Sequence, residues 1–246
     1  PLSIRFSYSS VRIVCTSAAL LGIIGLRYYL IRFGFIYDGY VVPPGSDAAV
    51  HVQLAQYLAS GHAWYSTGLQ YPPGFHLVVN AVSHIFSISI LQSVAILGQL
   101  AVLLPICATF IIADKWFNRT TALISAALIG LASASPVVAY MDGNYPNLIG
   151  SGFLMVIGYT FFIESLREKP LRNSIYASIA FIMLAFVHHL SFILMLTVII
   201  IYLIMLLIVQ RQSGNHLPHF KRVGSIAFVG IVLSSGLGYF LFGKNL

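Results

Sequence analysis

Long apolar runs joined by short basic connections dominate this sequence, and nothing else in it constrains the fold as strongly. A hydrocarbon layer about 30 Å thick is crossed by roughly 20 apolar residues in α-helix. That ruler fits seven stretches: 11–31, 89–113, 120–140, 147–165, 173–190, 191–210 and 223–242. Within such a layer a backbone has no water to bond, so each run must satisfy its own N–H and C=O groups as a helix. The 13 basic and 6 acidic side chains among 246 residues are too few to solvate a globule of this size. The expected fold is therefore all-α, a polytopic membrane protein of about seven transmembrane helices.

The formal net charge of +7 reads here as topology and not as a nucleic-acid footprint. With the N-terminus cytoplasmic, ten of the thirteen basic residues share one side: Arg5, Arg12, Lys115, Arg119, Arg167, Lys169, Arg172, Arg211, Lys221 and Arg222. Only Arg27, Arg32 and Lys244 fall opposite. The chain reads as a single transmembrane domain, 1–246, whose first run is a span and not a cleaved signal; an origin as a piece of a longer protein stays open. Residues 33–88 form a long outer loop. Within it, Ser46 to Ser60 suit a short helix after the Pro43-Pro44-Gly45 turn, with Ser46 as N-cap. A second helix starts at Pro72-Pro73 and runs to Phe86. Treating it as a helix lying on the membrane surface keeps Lys115 and Arg119 inside. Cys15 and Cys107 sit in apolar runs and read as small core residues. The sequon at Asn118-Arg119-Thr120 faces the cytoplasm on this topology.

Titratable groups gather at the outer face: Asp38, Asp47 and Asp142, with His51, His62, His76, His84, His188 and His189. Ionisable groups near a bilayer are costly and mark sites. Asp47 and His51 are four apart on one helix face, able to share a hydrogen bond or an ion; a capping Asp beside a solvated His is the plainer alternative. His76, Asn80 and His84 make a polar stripe that equally suits an interfacial helix. Asp142 lies in a Gly143/Pro146 turn, with Asn147 placed to cap the next helix. His188 and His189 point about 100° apart, so they do not chelate one metal as an i,i+4 pair would. There is no Gly-rich phosphate loop, HExxH, zinc-ligand spacing or GxSxG.

Four segments, Gly45-Ser46-Asp47-Ala48-Ala49-Val50-His51, Tyr71-Pro72-Pro73-Gly74-Phe75-His76, Ser135-Pro136 leading to Asp142-Gly143-Asn144-Tyr145-Pro146-Asn147, and His188-His189-Leu190-Ser191, occur in an order that resembles the GT-C superfamily of membrane glycosyltransferases. That group includes oligosaccharyltransferase catalytic subunits and protein mannosyltransferases. The resemblance implies a polyprenyl-phosphate-linked sugar as donor, an acceptor at the outer membrane surface, and membrane lipids as surroundings, with additional membrane subunits as an option. By position, Asp47 would be the catalytic carboxylate, with His51 beside it. Asp142 would be the second acidic site, helping to hold the donor phosphate or, with Asp47, a divalent cation such as Mg or Mn. His76, His188, His189 and Arg32 suit the phosphate, with Arg27 assisting. Tyr71, Tyr145 and Asn144 suit sugar or acceptor, and Trp64 and Tyr65 suit stacking or an interfacial belt. The chain departs from the oligosaccharyltransferase pattern in having no full Asp-x-Asp and no WWD-type motif. A scaffold subunit, a transporter and a haem-binding subunit are the competing functions. Acids at span ends and not at mid-membrane count against the transporter.

Overall fold

The computed structural model describes residues 8–39, 41–43, 46–62, 71–167, 170–213, 224–226 and 232–233. The described residues are helical throughout, without strands. Helix α1 (Tyr8–Asp38) is followed by the two short helices of the outer loop, α2 (Ser46–Ala59) and α3 (Gly74–Phe86). The latter starts just past the proline pair, with Pro73 at the cap position, because a proline ring tolerates the first turn but not a helix interior.

Helix α4 (Ile90–Trp116) opens with a capping box: Ser89 Oγ accepts from the Gln92 amide, and Gln92 Oε1 accepts from the Ser89 amide. It is the packing centre. Its covered face carries Ser93, Ala95, Gly98, Ala101, Ala108 and Ala113, small residues that let neighbouring helices come close where apolar burial alone gives little in lipid. Helix α5 (Arg119–Ala127) is capped by Asn118, whose Oδ1 accepts from the Thr121 amide at 2.9 Å. The asparagine of the sequon thus has a structural use.

The expected span 120–140 is broken. A π-helical turn, Leu128–Ala132, ends at Ser133, and α6 (Ser135–Met141) leaves at an angle of 41°. Pro136 has no N–H to continue the ladder and disfavours helical backbone before it, so the break falls there. Arg27 of α1, 7% exposed, donates from Nη2 to the Ser133 carbonyl at 2.8 Å and takes up an acceptor the break has freed. Next come α7 (Tyr145–Ile149), a second π turn at Gly150–Leu154, α8 (Met155–Arg167), α9 (Pro170–Val187) and α10 (His189–Ser213).

Four described helices are long and apolar enough to cross a membrane: Val11–Phe33, Ile90–Trp116, Tyr145–Leu166 and His189–Val209. The bent pair Arg119–Ala132 and Ser135–Met141 makes a fifth if it is one broken span. Leu171–Val187 is apolar but shorter, and the expected span 223–242 lies outside the described residues apart from 224–226 and 232–233. Cys15, expected in the core, is exposed on α1, whose span is only 11% buried.

The molecule has two unlike ends. At one, Lys115 pairs with Glu164 at 3.2 Å, Arg119 makes a two-pronged bond to Asp114, and Arg12 lies within electrostatic range of Asp114. At the other, a core of Ala48, Phe75, Val79, Val94, Tyr140 and Tyr145 ties α2 and α3 to α4 and to the turn after α6. A second core, including Phe162, Phe181, Leu184 and Met195, joins α8, α9 and α10.

Candidate functional site

The turn after α6 closes as a Schellman motif. The Gly143 amide donates to Tyr140 and the Asn144 amide to Ala139, with Gly143 at φ +79°. That conformation favours glycine, and so does the space. A Cβ on Gly143 would lie 2.2 Å from the Ala48 amide nitrogen and 2.9 Å from the Asp47 carbonyl carbon. The backbones carrying Asp47 and Asp142 are therefore in direct contact, although 95 positions separate the two acids (142 less 47). Both side chains are exposed.

One turn beyond Asp47, His51 is 3% exposed and meets the fully buried His76, Nδ1 to Nε2, at 3.0 Å. The Gly143 carbonyl is a backbone hydrogen-bond partner of the His51 ring, and one imidazole of the pair donates to the other. Burial pushes His51 down to about 4, against the opposing pull of the Asp47 charge and the Gly143 carbonyl. His76 falls to about 3 through burial and the neighbouring ring, with the Pro72 carbonyl acting the other way. Both imidazoles are neutral near pH 7. They link three segments, α2, α3 and the Gly143 turn, into one unit.

Tyr71 lies over this pair, its ring 5.5 Å from His51, 5.9 Å from His76 and 6.3 Å from His189. Burial and the charge of Asp47 push its hydroxyl up to about 12. Tyr145 is not placed to stack on a sugar: it is fully buried, its ring against His51, Phe75 and Tyr140, and its hydroxyl has no hydrogen-bond partner. His76, expected as a phosphate ligand, is likewise enclosed, and His51 faces its neighbours and not an open surface. Asn144 contributes its backbone to the turn and caps α7 without a side-chain bond. Asn147 does not cap that helix; its Oδ1 accepts from Ser151.

His188 begins α10. Its Nδ1 accepts from the Ser191 amide at 3.3 Å and lies 2.7 Å from Ser191 Oγ, which is 2.9 Å from Ser151 Oγ. Burial, then the adjacent His189, lowers His188 to about 4, so it too is neutral and carries no charge to a phosphate. His189 is exposed, edge-on to Tyr71. Arg32 is exposed on α1, whereas Arg27 is committed to Ser133 with its Nε buried and unpartnered.

The structure thus gathers Asp47, His51, Tyr71, His76, Tyr145 and the Asp142 turn, with His189 at the edge. Trp64 and Tyr65 lie outside the described residues. No group of three His, Cys, Asp or Glu able to hold a metal occurs among the described residues. Sequence reading missed the imidazole pair, because residues 25 apart give no local sign of contact. It also missed the Asn147–Ser151 bond and the His188–Ser191 cap, for which the i,i+4 and i,i+3 spacings were a visible signal. No family model matches the chain, and no curated protein matches it in sequence.

Proposed function

We propose that this chain is a membrane glycosyltransferase of the GT-C type, moving a sugar from a polyprenyl-phosphate donor to an acceptor at the non-cytoplasmic surface. The observation that supports this reading is the contact between the first turn of α2 and the Asp142–Gly143 turn. It sets two exposed carboxylates on touching backbones, with Tyr71 within electrostatic range of Asp47 and His189 edge-on to Tyr71. In the transfer, Asp47 takes the proton of the acceptor nucleophile as it bonds to the anomeric carbon, and the sugar–phosphate bond breaks with its electron pair leaving on the phosphate. The neutral rings of His51 and His76 do not neutralise that phosphate. They hold α2 against the turn so that Asp47 keeps its aim. The exposed Arg32 is the phosphate partner on this reading. A divalent cation arriving with the donor would rest on Asp47 and Asp142 and would supply charge neutralisation at the leaving phosphate.

The test is Asp47→Asn in the full chain, reconstituted with a polyprenyl-phosphate sugar donor and acceptor extract, with transfer and thermal unfolding read together. Transfer is expected to fall about 100-fold or more, with unfolding unchanged. If the parent chain transfers sugar and the Asn variant retains that activity, the carboxylate has no catalytic part; if the folded parent chain transfers no sugar, the scaffold reading is the better one.

A further inference from the structure

Arg27 is a buried cation with no anion to answer it among the described residues. It lies inside the helix Val11–Phe33, six residues short of its end (33 less 27), about 9 Å along the axis. The ion pairs of the described residues, Lys115–Glu164 and Arg119–Asp114, leave it out. Its one hydrogen bond runs from Nη2 to the Ser133 carbonyl. That bond caps the broken span, but a carbonyl dipole does not cancel a full charge. An ionised side chain at such depth is costly, and residues that keep one there pair it or use it.

The guanidinium is closed on one edge and open on another. Nε is shut off by its surroundings, so no ligand reaches it. Nη1 bonds nothing among the described residues and is not shut off in that way. Packing is tight on the side toward Val11, where a Cβ on Gly130 would meet Ile23 of α1 at 2.9 Å and Ile106 of α4 at 3.0 Å. On the other side is the break, from which α6 departs at 41°. There Ser133 is half-buried and Ser135 exposed, and neither hydroxyl has a partner among the described residues. Aliphatic surface adjoins these polar groups: Leu30, one turn beyond Arg27, is 51% exposed and Leu131 is 40% exposed.

Charge, depth and surroundings define the occupant. It is an anion, because a guanidinium awaits a counter-charge. Its oxygens outnumber those of a carboxylate, because hydroxyls stand beside the guanidinium and a tetrahedral phosphate can meet both. It is carried on a lipid, because Arg27 lies within a span only 11% buried, and basic pockets between membrane helices hold lipid headgroups. We propose that Arg27 and the break at Ser133–Ser135 bind the headgroup phosphate of an anionic lipid, with its chain against Leu30 and Leu131. A phosphatidate, a phosphatidylglycerol and a polyprenyl phosphate share that chemistry. The site is built by α1 and the break, not by Asp47 and the Gly143 turn, and stands whether or not the chain transfers sugar.

The test uses the full chain in neutral detergent, with bound lipid counted by native mass spectrometry and thermal unfolding read in parallel. Phosphatidate is the probe and phosphatidylcholine the zwitterionic reference. The parent chain is expected to hold one phosphatidate at least tenfold more tightly than phosphatidylcholine. Arg27→Met should lower that affinity about tenfold or more, the effect of one lost charge-assisted hydrogen bond. Ser133→Asp keeps the carbonyl and supplies a carboxylate within the chain, so it should displace the lipid without lowering the melting temperature, and it decides the matter if Arg27→Met fails to fold. Arg172→Met removes an equal charge from an exposed position on α9 and should leave phosphatidate binding unchanged. Phosphatidylglycerol and polyprenyl phosphate then compete with the probe; the stronger identifies the source, and displacement by either supports the assignment. Equal binding of phosphatidate and phosphatidylcholine overturns it, as does undiminished phosphatidate binding in either folded variant at the site. Inorganic phosphate that competes as well as the lipids would make the ligand a free ion, and a fatty acid that does so would remove the phosphate; both results also overturn the assignment.

Discussion

Gly143 answers to two constraints at once, and a matched glycine separates them. Gly61 has the same φ of +79° but nothing within 4 Å of where its Cβ would be, whereas Gly143 faces the backbone of Asp47 and Ala48. Gly61→Ala should cost about 1–2 kcal/mol, the left-handed penalty alone. Gly143→Ala should cost more than that and also reduce transfer, because the two acidic segments must part; equal melting shifts for the two variants would deny the contact. The imidazole pair gives a second prediction at this scale. Both rings have folded pKa values, about 4 and about 3, below the ordinary 6.5. Between those values and 6.5 the unfolded chain takes up protons that the folded chain refuses. Stability is therefore full above about pH 6.5 and declines as pH falls toward 4, by up to roughly 1.4 kcal/mol per ring per pH unit. His188 adds to the same slope in lesser degree, being half-buried. Melting temperatures measured from about pH 7 to pH 5 should show the decline, and a His51→Asn/His76→Asn double variant should flatten most of it. The Asp47–His51 spacing was legible because it lies within one helix turn. The partner of His51 was not, since only tertiary packing brings α3 to it.

At the scale of elements, helices were easy to read and their interruptions were not. Both outer-loop helices stand near their expected places because prolines and a polar start delimit them. The π turns at Leu128–Ala132 and Gly150–Leu154 left no comparable mark, since an extra residue in a helical turn changes no apolar pattern. The second turn fits its neighbours, with Gly150 packed under His188 and Gly152 leaving room for the Pro105 ring of α4. The break at Ser133 yields a testable division between two arginines five positions apart. Arg27→Met removes the bond to the Ser133 carbonyl and should lower stability by about 1.5–3 kcal/mol, the range for a hydrogen bond to a charged group. Arg32→Met, at an exposed position, should leave the melting temperature alone and reduce transfer by weakening the donor phosphate. If both variants melt alike, the capping of the broken span by Arg27 is wrong.

For the whole molecule, the sequence reading of orientation rests on where basic residues collect. Lys115, Arg119, Asp114 and Glu164 meet at one end through ion pairs, while Asp47, Tyr71 and the Gly143 turn meet at the other. Two helices, Val11–Phe33 and His189–Val209, are only 11% and 12% buried, so their apolar faces must lie against lipid or further membrane subunits. The proposed transfer needs a membrane along them with the two clusters on opposite sides, and the positive-inside expectation then makes the ion-pair end the cytoplasmic one. Cysteine labelling measures this directly. In a chain with Cys15 and Cys107 replaced by Ala, Phe117→Cys (70% exposed) reports on the ion-pair end and Ser60→Cys on the end of α2. A membrane-impermeant maleimide added to intact right-side-out vesicles should modify Cys at position 60 at once and Cys at position 117 only after permeabilisation. The reverse pattern would put the carboxylates in the cytoplasm, away from any acceptor on the outer surface, and would remove the topological ground for the proposed transfer. Labelling of both in sealed vesicles would mean that the two ends are not separated by a bilayer, and the reading of these helices as spans would fail with it.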